Sequence, residues 1–144
     1  MRASPLLPAL LIGLILTGAA FGHGDVTPQL VDTSGLEPLG EEWRMTNPYS
    51  GNEVAIEIGA SAYNQNCARC HGLEAVSGGI APDLRALEPG EFGDEWYIER
   101  VRNGAIRNGM TYMPVFAESD GGPLSQEALW AIRAYLESRY DPSL

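Results

Sequence analysis

Cys67-Ala68-Arg69-Cys70-His71 constrains this chain more than any other stretch. A C-x-x-C-H run reads as the covalent attachment site of a c-type haem. Two thiols on one helical turn can each bond a haem vinyl group, and the adjoining imidazole then lies under the iron. A bare C-x-x-C also permits a redox disulfide or half of a zinc site. Zinc needs four ligands, whereas the chain holds 2 cysteines and 2 histidines, and the other histidine, His23, lies far upstream. A thioredoxin-like motif would need strand–helix–strand flanks, and the flanks here read as helical. The pentapeptide therefore points to one haem c held through Cys67 and Cys70, with His71 as an iron ligand.

A length of 144 residues allows one compact domain. Met1-Arg2 is a short basic start, Leu6 to Phe21 is uncharged and mostly apolar, and Ala20-Phe21-Gly22 offers small residues where a signal peptidase reads. Residues 1–22 are thus expected to be a secretory signal peptide cleaved near Gly22, before His23. As a membrane anchor the run falls short: roughly sixteen residues broken by Pro8, Gly13 and Gly18, against the ~20 needed to span. Stable membrane insertion of the mature form is not expected, and export suits a chain whose two thiols are taken by haem.

The formal charge is −10, and loss of Arg2 with no acid makes it −11; every basic residue is arginine. That balance argues against nucleic acid or anionic lipid as partner and favours an apolar or basic docking surface.

From His23 to Gly51 the chain carries Pro28, Pro38, Pro48, Gly35 and Gly40 among polar residues, which defeats long regular elements. Residues 23–51 are expected to form an extended arm anchored by Leu36, Leu39, Trp43 and Tyr49, with residues 52–144 as the haem domain. An amino-terminal His23 could chelate copper, but no second free histidine would complete such a site if His71 binds iron; a disordered terminus is the simpler expectation.

Asn52 is a good N-cap for a helix to about Asn66, whose buried stripe is read as Ile56, Gly59, Ala60 and Tyr63. Gly59 inside it costs roughly 1 kcal/mol relative to alanine, which a close helix crossing would explain. Gly72 to Ala81 is a loop closed by Pro82-Asp83-Leu84. The Pro82 carbonyl is either an acceptor for the second ring nitrogen of His71 or part of an ordinary turn. Asp94 is placed as the cap of a short helix through Arg102, ended by Gly104. Ala105 to Phe116 reads as irregular chain carrying Met110, Met113 and Pro114. Either methionine sulfur suits low-spin haem iron, and either could be core filler; Met113 is preferred because Pro114 stiffens the chain beside it. Ser125 caps a last helix to about Arg139, with Leu129, Ile132, Tyr135 and Leu136 on one face and Arg133 near its negative end.

Over Asn52 to Tyr140 the chain resembles the class I cytochromes c, and the resemblance implies an all-α fold of three to five helices around one covalently bound haem. Gly59 and Tyr63 match the family's first helix, and Ile132 and Tyr135 the last helix that crosses it. Pro82 and Leu84 match the proline that accepts the histidine hydrogen bond and the leucine that packs on the haem. Tyr112-Met113-Pro114-Val115-Phe116 resembles the sixth-ligand loop, which carries the distal role onto Met113. The arm from Gly35 to Tyr49, with Ile58 to Cys67, is closer to the periplasmic cytochromes c-550 that take electrons from quinoprotein alcohol dehydrogenases using pyrroloquinoline quinone; the connector from Leu87 to Glu95 is shorter here and holds no cysteine.

The expectation is therefore a periplasmic, monomeric, monohaem carrier rather than an enzyme. It would be reduced by such a dehydrogenase and oxidised by a terminal oxidase or another cytochrome. Three rival readings are an open sixth position supporting peroxidase or gas-binding chemistry, a fixed subunit docked through the arm, and a thiol–disulfide protein.

Overall fold

Asn52 does begin a helix: its Oδ1 accepts from the Ala55 amide at 3.1 Å, and α1 runs Glu53–Asn66. The computed structural model describes residues 28–144, so the signal peptide expected at 1–22 and His23 lie outside the described residues. After α1 the Cys67 N–H closes on the Tyr63 carbonyl at 2.8 Å, and one short turn of helix, α2 (Ala68–His71), carries the rest of the C-x-x-C-H run.

α4 (Gln126–Ser138) is the structural centre. Ser125 Oγ accepts from the Ala128 amide at 3.2 Å as its N-cap. Ala128 through Leu136 are all buried, the signature of a helix covered on every side. α1 crosses it at Gly59, where a Cβ would overlap the Ala131 carbonyl and come within 3.0 Å of the Ile132 nitrogen. The crossing explains the glycine. It also moves the buried stripe of α1 to Ala55, Gly59, Ala62, Tyr63 and Asn66, with the expected Ile56 and Ala60 only half-buried. Small residues face the close approach, and bulkier ones flank it.

The third helix departs from expectation. α3 runs Glu91–Asn103 from Gly90, so Asp94 is not its cap but lies within it. Both Asp94 oxygens have tertiary partners instead: Oδ1 accepts from Arg133 Nε at 2.7 Å, and Oδ2 from the Asn47 amide at 2.8 Å. Arg133 is correspondingly fully buried, with a further bond to the Glu88 carbonyl at 2.6 Å. Its role is a core ion pair joining α3, α4 and the arm, rather than compensation of the α4 dipole. Gly104 ends α3 at φ 66, as its sequence position implied.

Where irregular chain was expected, Ala105–Arg107 (β1) and Met110–Met113 (β2) pair antiparallel, with Arg107 opposite Met110 and Ala105 opposite Met113. Asn108 (φ 51) and Gly109 (φ 75) form the two-residue turn. Asn-Gly is the strongest short hairpin signal because both residues tolerate positive φ. Among the described residues the architecture is thus four α-helices plus one small hairpin, with short 3-10 turns between them.

Residues 28–51 form no helix or strand and lie along α4. Leu36, Leu39 and Tyr49 are buried and Trp43 half-buried. The backbone is tied down by side chains of the core: Leu39 N–H donates to Glu127 at 2.9 Å and Arg44 N–H to Gln126 at 2.7 Å. Trp43 Nε1 donates to Ser119 Oγ at 2.9 Å. Burial pushes the Tyr49 phenol up to about 12, and its hydroxyl donates to the Glu37 carbonyl.

Candidate functional site

The four elements leave one large cavity, about 850 Å³, between α1, α3, the hairpin and α4. That lies in the range of roughly 300–1,000 Å³ typical of cofactor sites. α1, α2 and the junction between them supply Tyr63, Cys67, Cys70 and His71; α4 supplies Leu129, Ile132 and Leu136; α3 supplies Trp96, Tyr97 and Arg100; and the hairpin ends in Met113. Cys67, Cys70, His71 and Met113 thus share one cavity. Met110 is 59% exposed and is absent from its walls.

His71 Nδ1 lies 2.9 Å from the Pro82 carbonyl. An imidazole that donates there keeps its lone pair on Nε2, the arrangement a metal-bound histidine needs. The loop presenting Pro82 is itself clasped. Asp83 accepts from the Ser77 amide at 3.1 Å and the Arg85 amide at 3.1 Å, and pairs with the Arg85 guanidinium at 3.0 and 2.8 Å. The hydrogen-bonded Arg85 side chain, opposed by burial and helped by the Ser77 and Arg85 amides, holds the Asp83 carboxyl well below the usual carboxylate range.

A depressed folded pKa contributes stability above the unfolded value near 3.8, lost as pH falls below it. Solvent screening limits the contribution to less than ~1 kcal/mol. Asp83→Asn should therefore melt lower than wild type from pH 7 down to about 4, the gap closing only as the pH falls further through the depressed folded-state range; melts followed by circular dichroism from pH 7 to about 2 check this.

Burial, and then the neighbouring Cys70, push the Cys67 thiol up to about 12. Redox-active C-x-x-C pairs depend on a lowered thiol pKa, so the direction is wrong for thiol–disulfide exchange. Among the described residues no group of three or more His, Cys, Asp or Glu side chains could hold a metal ion by itself.

The walls fit haem in a further respect. In a chain with 19 acids and 9 bases, the charged side chains lining the cavity are Arg100 and Arg107, with no carboxylate among them. Haem carries two carboxylates, and two guanidiniums at the rim match that charge. Arg100 lies over Trp96 at 5.6 Å and Arg107 over Tyr112 at 5.8 Å. Sequence reasoning gave Arg100, Arg107 and Trp96 no role and took Tyr112 only as part of the Met113 loop; that the four meet at one rim depends on the fold bringing α3 and the hairpin together. Tyr63 and Tyr97 are fixed by hydroxyl bonds to the Gly72 carbonyl (2.8 Å) and the Leu129 carbonyl (2.7 Å), so their polar ends are satisfied and their rings can face an apolar cofactor.

Comparison with known proteins agrees with this geometry. The profile of the family described as cytochrome C oxidase, cbb3-type, subunit III matches residues 54–136. The chain is 63% identical, over 96% of its length and 97% of the relative's, to cytochrome c550 of Pseudomonas aeruginosa. Over 62% of its length it is 36% identical to quinohemoprotein alcohol dehydrogenase ADH-IIG of Pseudomonas putida, and over 67% it is 31% identical to ADH IIB of the same species. Those matches span 11% and 13% of the two enzymes. No solved structure matches the chain. No helix among the described residues is long and apolar enough to cross a membrane. The chain therefore belongs to the cytochrome c family: it is an electron-transfer protein rather than an enzyme, and it carries covalently bound haem c.

Proposed function

We propose that this cytochrome is a periplasmic one-electron carrier, reduced by a pyrroloquinoline-quinone-dependent alcohol dehydrogenase and oxidised by a terminal oxidase or another cytochrome. In this reading residues 1–22 are the signal peptide, 23–51 the arm and 52–144 the haem domain. Cys67 and Cys70 form the thioethers, and His71 and Met113 are the iron ligands. The observation that carries the reading is that His71, oriented by Pro82, and Met113 lie on the walls of one cavity. With an imidazole and a thioether both supplied by the chain, no position remains for a substrate, and bound haem c supplies a one-electron iron couple tuned by those ligands.

The protein's own work is to hold that geometry constant. Pro82 fixes the imidazole ring, Leu84, Leu129, Ile132 and Leu136 keep water from the cavity, and the arginines at its rim balance carboxylate charge. The donor reading is supported by the resemblance of this chain to a stretch of two enzymes whose names join a quinone and a haem. Such enzymes would make within one chain the transfer proposed here between two. The test is direct mixing: a quinoprotein ethanol dehydrogenase given ethanol should fully reduce the ferric cytochrome at low ionic strength, and no reduction would remove this donor class. Size exclusion should show a small monomer.

A further inference from the structure

α3 faces the cavity with one side and solvent with the other. On the outer side Phe92 is 77% exposed and Trp96 39%. Phe92 is not part of the cavity wall, so a cofactor does not cover it. Phe92 and Trp96 are four residues apart on one helix, so their rings form a contiguous apolar patch, and such patches, rather than single exposed side chains, mark docking surfaces. Trp96 belongs to both surfaces: it lines the cavity and reaches solvent.

The charge beside Phe92 is acidic, and the cation next to the pair, Arg100, lies over the Trp96 ring at 5.6 Å and is itself paired with Glu99 at 3.0 Å. Glu91 and Glu95 are exposed on the same face and have no ion-pair partner among the described residues. We infer that the outer face of α3, centred on Phe92 and Trp96, is the docking surface for the reduced redox partner. That partner is a protein presenting an apolar socket for Phe92 within a basic rim. The inference rests on the electron-carrier reading and deepens it. One electron leaves the reduced partner and enters the ferric cytochrome beside Trp96, with no bond made or broken and no proton moved. Carboxylates placed beside the entry point raise the encounter rate with a cationic surface, and that advantage is screened by salt.

The experiment compares holo-cytochrome variants at exposed positions: Glu91→Gln/Glu95→Gln, Phe92→Ser, and, as a control of equal charge at the far end of α1, Glu53→Gln/Glu57→Gln. Stopped-flow reduction is followed with two reductants, ethanol-reduced quinoprotein ethanol dehydrogenase and hexaammineruthenium(II). The α3 double variant should be reduced about tenfold more slowly than wild type by the dehydrogenase at low salt, with a flatter salt dependence, and several-fold more slowly by the small cation. Phe92→Ser should slow only the protein reductant. Equal rates for the two double variants with either reductant overturn the inference. If the dehydrogenase fails to reduce even wild type, the donor reading falls, and the ruthenium comparison alone then decides whether electrons enter by this face.

Discussion

Replacing Gly59 by alanine is expected to cost ~3–5 kcal/mol, enough to remove most of a small domain's stability. The new methyl group would overlap the carbonyl of Ala131 and approach the Ile132 nitrogen to 3.0 Å. These are backbone atoms in the middle of α4, so no rotamer change relieves the clash; the two helices must part. Between them they carry Tyr63, Leu129, Ile132 and Leu136 into the cavity wall, so separation also loosens the cofactor site. The sign of the effect is diagnostic. In an uncrowded helix the same change stabilises by about 1 kcal/mol. Gly78→Ala, where nothing lies within 4 Å, is the control and should be near neutral. Chemical denaturation of the holo-protein measures both, and a loss below ~1 kcal/mol for Gly59→Ala would contradict the crossing described here.

Met113→Ala is expected to produce the largest change in the cofactor. If the Met113 sulfur is the distal ligand, its loss opens one axial position, abolishes the methionine-to-iron charge-transfer band of the ferric spectrum, and admits cyanide rapidly. The reduction potential should fall by on the order of hundreds of millivolts, since axial ligands set haem potentials over ~0.8 V. Met110→Ala should leave spectrum and potential unchanged, because that side chain lies outside the cavity. The fold holds Met113 by several means: its residue pairs with Ala105 across the hairpin, and Gly104 lets the Met113 carbonyl pass closer than any side chain would allow. Spectra and potentiometric titrations of the two variants, with a pyridine haemochrome assay for attachment, decide the point. Unchanged spectra for Met113→Ala would return the open-site reading to favour.

Much of this was legible because its signals are local. Asn52 and Ser125 cap the helices they were expected to cap, Gly104 ends α3, and Gly59 marks the helix crossing. Pro82 meets His71 as the family resemblance implied. What stayed hidden depends on residues far apart in the chain. Asp94 looked like an N-cap because an aspartate before a helical pattern usually is one; its partners, Arg133 and Asn47, lie 39 and 47 positions away. Arg133 looked like a surface cation near a helix end for the same reason. The hairpin was missed differently. Asn108-Gly109 was in view, but strands of 3 and 4 residues, mostly exposed, are too short to show an alternation. The stripe on α1 was misplaced because Ala55 and Ala62 give little hydrophobic signal, although their small size is what the crossing requires.

The arm has its own consequence for anyone dissecting the protein. Its greasy residues are spent on the chain that bears them, and its main-chain amides close on Glu127, Gln126 and Asp94, carboxylates and an amide that water would otherwise have to solvate inside the body. Trimming the polypeptide to start at the first helix would not yield a minimal haem module, but a torso with an open flank and an acid half-stripped of its bonds. A transplant of this cytochrome into a fusion enzyme must bring the strap along, or redesign the flank it shelters.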